Sequence, residues 1–132
     1  MIVHIDAQNG IPIYDQIVRH VKYAVANRVL TAGEHVPSVR ELAGQIAVNV
    51  NTVARAYRQL QDDGVLVSIR GTGLAVTQDA VEICLRERQE IVVARLRSTL
   101  SEAFASGIPE AEIRKIFEDL AAELSHEQAD TG

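Results

Sequence analysis

Residues 36–76 read VPSVRELAGQIAVNVNTVARAYRQLQDDGVLVSIRGTGLAV, and the signals inside this stretch decide the fold. Pro37 disfavours helix at Val36, so a helix begins only after it. Ser38 is a suitable N-cap, and Glu41 three residues later completes a capping box. The helix that follows runs to about Ile46, with Val39, Leu42, Ala43 and Ile46 on one face. The turn AVNV breaks it. Asn49 can cap a second helix by accepting a backbone N–H from its first turn. Val53, Ala56, Tyr57 and Leu60 then make one buried stripe, and Asp62-Asp63-Gly64 ends the helix, glycine taking a left-handed conformation without steric cost. Val65 to Ile69 reads as a strand, Arg70-Gly71-Thr72-Gly73 as a turn, and Leu74 to Thr77 as the return strand. The spacing thus predicts a recognition helix at about 49–63 and a hairpin wing at about 65–77. Helix, tight turn, helix and hairpin together describe a winged helix-turn-helix.

The residues left off the buried stripe carry the functional expectation. Asn49, Asn51, Thr52, Arg55 and Arg58 lie on the start and outer side of the second helix. Asn and Arg suit base edges, and Thr and Arg also reach phosphates. Singly, each could merely cap or be solvated. Together with Arg40 and Arg70 on neighbouring elements, and with no acid on the second helix before Asp62, they point to a DNA-facing surface. A winged helix can also be a protein-interaction module with an acidic tail as its contact surface; the Asn49, Asn51, Thr52 and Arg55 pattern discriminates for DNA.

PIYDQIVRHVKYAV, then GEHVPSVRELA, then VNVNTVARAYRQLQDDGVL, then RGTG, resembles the GntR family of bacterial transcription regulators over about residues 10–77. The short helical tail is similar to the small YtrA-like branch. The resemblance implies a cytoplasmic winged-helix regulator, usually a repressor, that binds a palindromic operator in double-stranded DNA as a homodimer. By the same resemblance Arg40, Asn49, Asn51, Thr52, Arg70 and Gly71 match DNA-contacting positions; Ser38, Arg55, Arg58 and Thr72 complete the expected DNA-binding set. Two positions depart from the pattern. Val50 replaces a residue that is often proline, arginine or another polar group, and Thr72 stands where a wing lysine is common.

Composition bounds the alternatives. The chain has 132 residues with 47% hydrophobic, 23% charged and only 4% aromatic residues, so its core is mostly Val, Ile, Leu and Ala. One cysteine, Cys84, excludes an intrachain disulfide. No apolar run approaches the ~20 residues of a membrane span, and no basic-then-apolar leader opens the chain. The formal charge of −5 is unevenly placed. Residues 1–76 carry seven Arg and Lys against six acids, and residues 77–132 carry six against twelve. The reading head is only mildly basic, so tight binding needs two heads acting together.

Outside the decisive stretch, Met1 to Ile5 reads as an extended arm or edge strand. Pro12 opens a first helix running to about Val29 on Ile13, Ile17, Val21, Ala24 or Val25, and Val29. Tyr14 falls off that stripe and reads as a packing residue with a solvated hydroxyl. Gln78 to about Ser106 contains no Pro or Gly and predicts a helix about 40 Å long. Gly107-Ile108-Pro109 breaks it, and Ile113, Ile116, Phe117, Leu120 and Leu124 form the face of a further helix of about fifteen residues. That helix is too short to cover its longer neighbour, so Leu85, Val92, Leu96, Leu100, Phe104, Ile113, Phe117 and Leu120 are expected to pair with a second copy. The expected organisation is a winged helix over 1–77, a dimerisation segment over 78–124 and a disordered tail over 125–132. The four histidines are scattered, Cys84 sits on an apolar stripe, and no phosphate loop or Ser/His/Asp order is present. No catalytic residue, metal site or cofactor is expected. The tail is too short for a deep pocket of its own; a cleft between two copies is where an unidentified small-molecule effector would fit.

Overall fold

The computed structural model describes residue 1 and residues 3–131. Its elements, in chain order, are α1 (Ile13–Ala26), α2 (Val39–Ile46), α3 (Val50–Asp62), β1 (Leu66–Ile69), β2 (Gly73–Val76), α4 (Ala80–Ala105) and α5 (Glu110–Thr131). The chain parts into two compact units, residues 1–89 and residues 90 onward. The first is a mostly helical winged helix-turn-helix with a two-stranded wing; the second is helical.

In the first unit the predicted stripes become the core. Ile17, Val21 and Val25 of α1, Leu42 of α2, and Val53, Ala56, Tyr57 and Leu60 of α3 are buried together. Each such aliphatic side chain contributes about 1.5–3 kcal/mol by leaving water. The Tyr57 hydroxyl donates to the Pro37 carbonyl at 2.8 Å, so α3 also fixes the lead-in to α2. The α2 capping box is complete: Ser38 Oγ accepts from the Glu41 N–H at 3.1 Å and Glu41 Oε1 from the Ser38 N–H at 3.4 Å. Ala47 ends α2 in the left-handed conformation, φ 54°, which turns the chain into α3 at a small steric cost.

The wing pairs Leu66 with Val76, Val67 with Ala75, Ser68 with Leu74 and Ile69 with Gly73. Its base is tied to the α2 lead-in: the Val36 N–H donates to Leu74 O at 3.0 Å and the Val76 N–H to Glu34 O at 2.9 Å. Gln16, 5% exposed, holds the N-terminal loop by donating to Asp6 O at 2.8 Å and Ile11 O at 2.9 Å while accepting from the Asp6 N–H.

Several boundaries differ from the sequence reading. α1 stops at Ala26, not near Val29; Asn27 caps it, Arg28 takes φ 60°, and Val29 is 68% exposed while Leu30 returns to the core. The Met1–Ile5 run forms no strand among its described residues, though Val3 is buried; Ile2 lies outside them. The first turns of α4 belong to the first unit, because Ala80 and Cys84 bury into its core. The compact boundary therefore falls after Gln89 rather than after Thr77.

In the second unit, α5 has 22 residues and continues through Ser125–Thr131, where a disordered tail was expected. That segment, SHEQADT, has no Gly or Pro to stop a helix; residue 132 lies outside the described residues. Gly107, at φ 82°, makes the turn between α4 and α5.

Candidate nucleic-acid interface

The interface is built on α3. Asn51, Arg55 and Arg58 follow one another at four- and three-residue steps, so they share one exposed face opposite the buried Val53, Ala56, Tyr57 and Leu60. No acidic residue falls on this helix before Asp62. Arg40, in the first turn of α2, and Arg70, at the wing tip, are also exposed. Arg40, Arg58 and Arg70 carry no ion pair among the described residues, leaving their cations to solvent or to an anion.

Other expected contact residues use their polar groups within the protein. Ser38 spends its hydroxyl in the capping box. Asn49 Oδ1 accepts the Asn51 N–H at 2.8 Å, so Asn49 is the α3 cap, and the Asn51 side chain has no hydrogen-bond partner among the described residues. Thr72 donates to Ile69 O at 3.4 Å and its hydroxyl lies 3.1 Å from His35 Nε2. Gly71, at φ 81°, shapes the wing turn in a conformation that a β-carbon resists. Val50 is 46% exposed at the start of α3, where it offers only apolar surface.

Two residues outside the expected set enter the site. Tyr14 packs against the core as read, but its ring also carries the Arg55 guanidinium 3.8 Å from the ring centroid. Ile13, Tyr14, Asn51, Thr52 and Arg55 line one groove of about 440 Å³. His35 bridges to Ala75 and braces the wing tip through Thr72. Both contacts join residues far apart in sequence, so no local pattern announces them.

Tyr57 and Cys84, both buried, belong to the scaffold. Burial raises the Tyr57 phenol well above its ordinary value, keeping it a donor. Burial, helped by Glu87, pushes the Cys84 thiol up to about 11, which leaves it unreactive near neutrality. Among the described residues no group of His, Cys, Asp and Glu could hold a metal ion, and no helix is long and apolar enough to cross a membrane.

The residues expected at a pairing surface fall in both units. Leu85, 39% exposed, lies in the first. In the second, Val92, Leu96, Leu100, Phe104, Phe117 and Leu120 are between 41% and 57% exposed. Ile113 is only 8% exposed and is already covered within a single chain. Ile116 and Leu124, at 45% and 54%, continue the apolar surface of α5.

Comparison with known proteins gives the family and the same fold. Residues 13–76 match the model of the "Bacterial regulatory proteins, gntR family". The chain is 27% identical over 122 residues to the HTH-type transcriptional repressor YtrA of Bacillus subtilis (strain 168), covering 92% of this chain and 94% of that one. A transcriptional regulator from Oenococcus oeni superposes with TM-score 0.78 at 34% identity, over 89% of this chain and 97% of its own. A GntR family transcriptional regulator from Listeria monocytogenes superposes with TM-score 0.65 at 30% identity, over 85% of this chain and 97% of its own.

Proposed function

The chain belongs to the GntR family of bacterial regulatory proteins, DNA-binding transcription regulators rather than enzymes, and from that premise we propose that it is a repressor that binds an inverted-repeat operator as a homodimer. The observation that carries the reading is α3: a helix buried on one side whose exposed face presents Asn51, Arg55 and Arg58 with no acid before Asp62. In this reading α3 enters the major groove, where Asn51 reads a base edge. Arg40 and Arg70 take phosphates on either side and fix the register.

Homodimerisation is supported by the apolar residues of α4 and α5 left exposed in a single chain. A second copy related by a two-fold axis would cover them and present two reading heads to two half-sites. The mild charge of residues 1–76 supports the same conclusion, because few phosphate contacts per head make the second head necessary. Repression follows when the operator overlaps a promoter and excludes polymerase; the similar Bacillus subtilis protein is itself a repressor. An effector, in this reading, is a small molecule held in a cleft between the two copies.

The test is a gel-shift titration with a duplex from upstream of the chain's own coding sequence and a scrambled duplex, each at two salt concentrations. The proposal expects preference for the upstream duplex, with affinity falling steeply as salt rises. Equal binding to both duplexes at every salt concentration would contradict it.

A further inference from the structure

The Arg55 guanidinium lies 3.8 Å from the centroid of the Tyr14 ring, across 41 positions of sequence. Tyr14 belongs to the first turn of α1, and its body is fixed by the core it packs against. Arg55 is exposed on α3 and makes no ion pair among the described residues. A long arginine on a helix ordinarily samples many rotamers, and ordering it on binding costs entropy. The ring removes much of that freedom beforehand. A guanidinium lying against an aromatic face keeps its in-plane N–H donors available, so the stacked side chain can still engage an anion.

We propose that Tyr14 is a positioning residue for DNA binding: its ring holds Arg55 so that the guanidinium edge meets a backbone phosphate at the margin of the major groove. The proposal rests on the DNA-binding reading above. A phosphate fits because α1 flanks α3 at this groove, which Asn51 and Thr52 also line, and because Arg and Thr side chains commonly take backbone phosphates. Arg55 then contributes affinity and orientation rather than sequence preference. The hydroxyl of Tyr14 has no part in this; the ring face does.

The test uses the full chain, the upstream duplex and the scrambled duplex. Tyr14→Leu is expected to weaken binding to both duplexes by a similar factor, on the order of tenfold for two heads. It should also flatten the salt dependence by about one phosphate contact per subunit. Tyr14→Phe should bind as the parent does, because it keeps the ring. Arg55→Ala should weaken binding at least as much as Tyr14→Leu, and the double variant should be no weaker than Arg55→Ala alone. If Tyr14→Leu does not fold, Tyr14→Met keeps the bulk without the ring and takes its place. In the free protein the Arg55 side-chain proton resonances should show an upfield ring-current shift that survives Tyr14→Phe and disappears on loss of the ring. Full affinity with an unchanged salt slope in Tyr14→Leu, a Phe variant as weak as Leu, or additive losses in the double variant would overturn the positioning role alone. Failure of the parent protein to bind either duplex would overturn this role and the DNA-binding reading together.

Discussion

Asn49 and Asn51 are the same amino acid two positions apart, and the backbone between them assigns them different work. The Asn49 carboxamide oxygen is bound to the Asn51 N–H at 2.8 Å, so it serves the helix end. The Asn51 side chain is exposed and has no hydrogen-bond partner among the described residues. Asn49→Ala is therefore expected to lower folding stability by about 1 kcal/mol, as loss of an N-cap does. Asn51→Ala should leave stability nearly unchanged and cost about 1–3 kcal/mol of discrimination at one base position in each half-site. Urea unfolding and gel shifts on single-base operator variants separate the two; equal weakening of cognate and random DNA by Asn51→Ala would contradict base reading. Arg40 and Arg70 carry a different expectation. Alanine at either position should weaken binding to every duplex and make the salt dependence shallower by about one contact per subunit. Unchanged slopes would refute their phosphate role.

Three helices meet at Lys22, whose amine lies 2.7 Å from Asp63 Oδ2 after α3 and 2.8 Å from Glu87 Oε2 on α4. Burial alone would lower the Lys22 pKa, but the bonds to Asp63 and Glu87 outweigh it and the net shift is upward. The native state thus holds this proton more tightly than the unfolded chain. Its stabilisation is present in full below about 10.5, the unfolded value, and is lost as pH rises through the higher native value. Cys84 acts in the same direction: its thiol is raised from 9.0 to about 11, so stability starts to fall as pH passes about 9. Lys22→Met should cost about 1–2 kcal/mol at neutral pH, since it leaves two carboxylates without their shared cation. Urea midpoints of parent and variant should converge above pH ~10.5; a constant gap through that range would exclude the ion pairs as its cause. The α2 and α3 helices were legible because their determinants are local: a capping box at Ser38 and Glu41, a cap at Asn49, and stripes with helical spacing. The Lys22 network was not, nor were the Tyr14–Arg55 stack and the His35–Thr72 contact, because each joins elements distant in sequence. The end of α1 was missed because Arg28 adopts a left-handed backbone that its identity does not announce. The extent of α5 was missed because polar composition at Ser125–Thr131 was read as disorder, although nothing there breaks a helix.

At the scale of the molecule, charge and apolar surface are divided between two units. The residues proposed to read DNA lie in the first, and most of the exposed aliphatic and aromatic residues of α4 and α5 lie in the second. The sequence disclosed part of this division through its charge balance: the first unit, residues 1–89, holds nine acids against nine bases, and residues 90–132 hold nine against four. The proposed account makes the second unit a pairing device whose exposed Val92, Leu96, Leu100 and Phe104 need a second copy to leave water. Removing the pairing should then remove operator affinity without altering the reading head. Leu100, 41% exposed, can take a carboxylate in the free chain but not in a dry interface. The most direct measurement is sedimentation equilibrium of the parent chain and Leu100→Asp at micromolar concentration, paired with operator titrations of the same samples. The account predicts a dimeric parent that binds the operator tightly, and a folded, monomeric Leu100→Asp that has lost that affinity. A parent that sediments as a monomer, or a monomeric variant that still binds the operator as tightly, would contradict it.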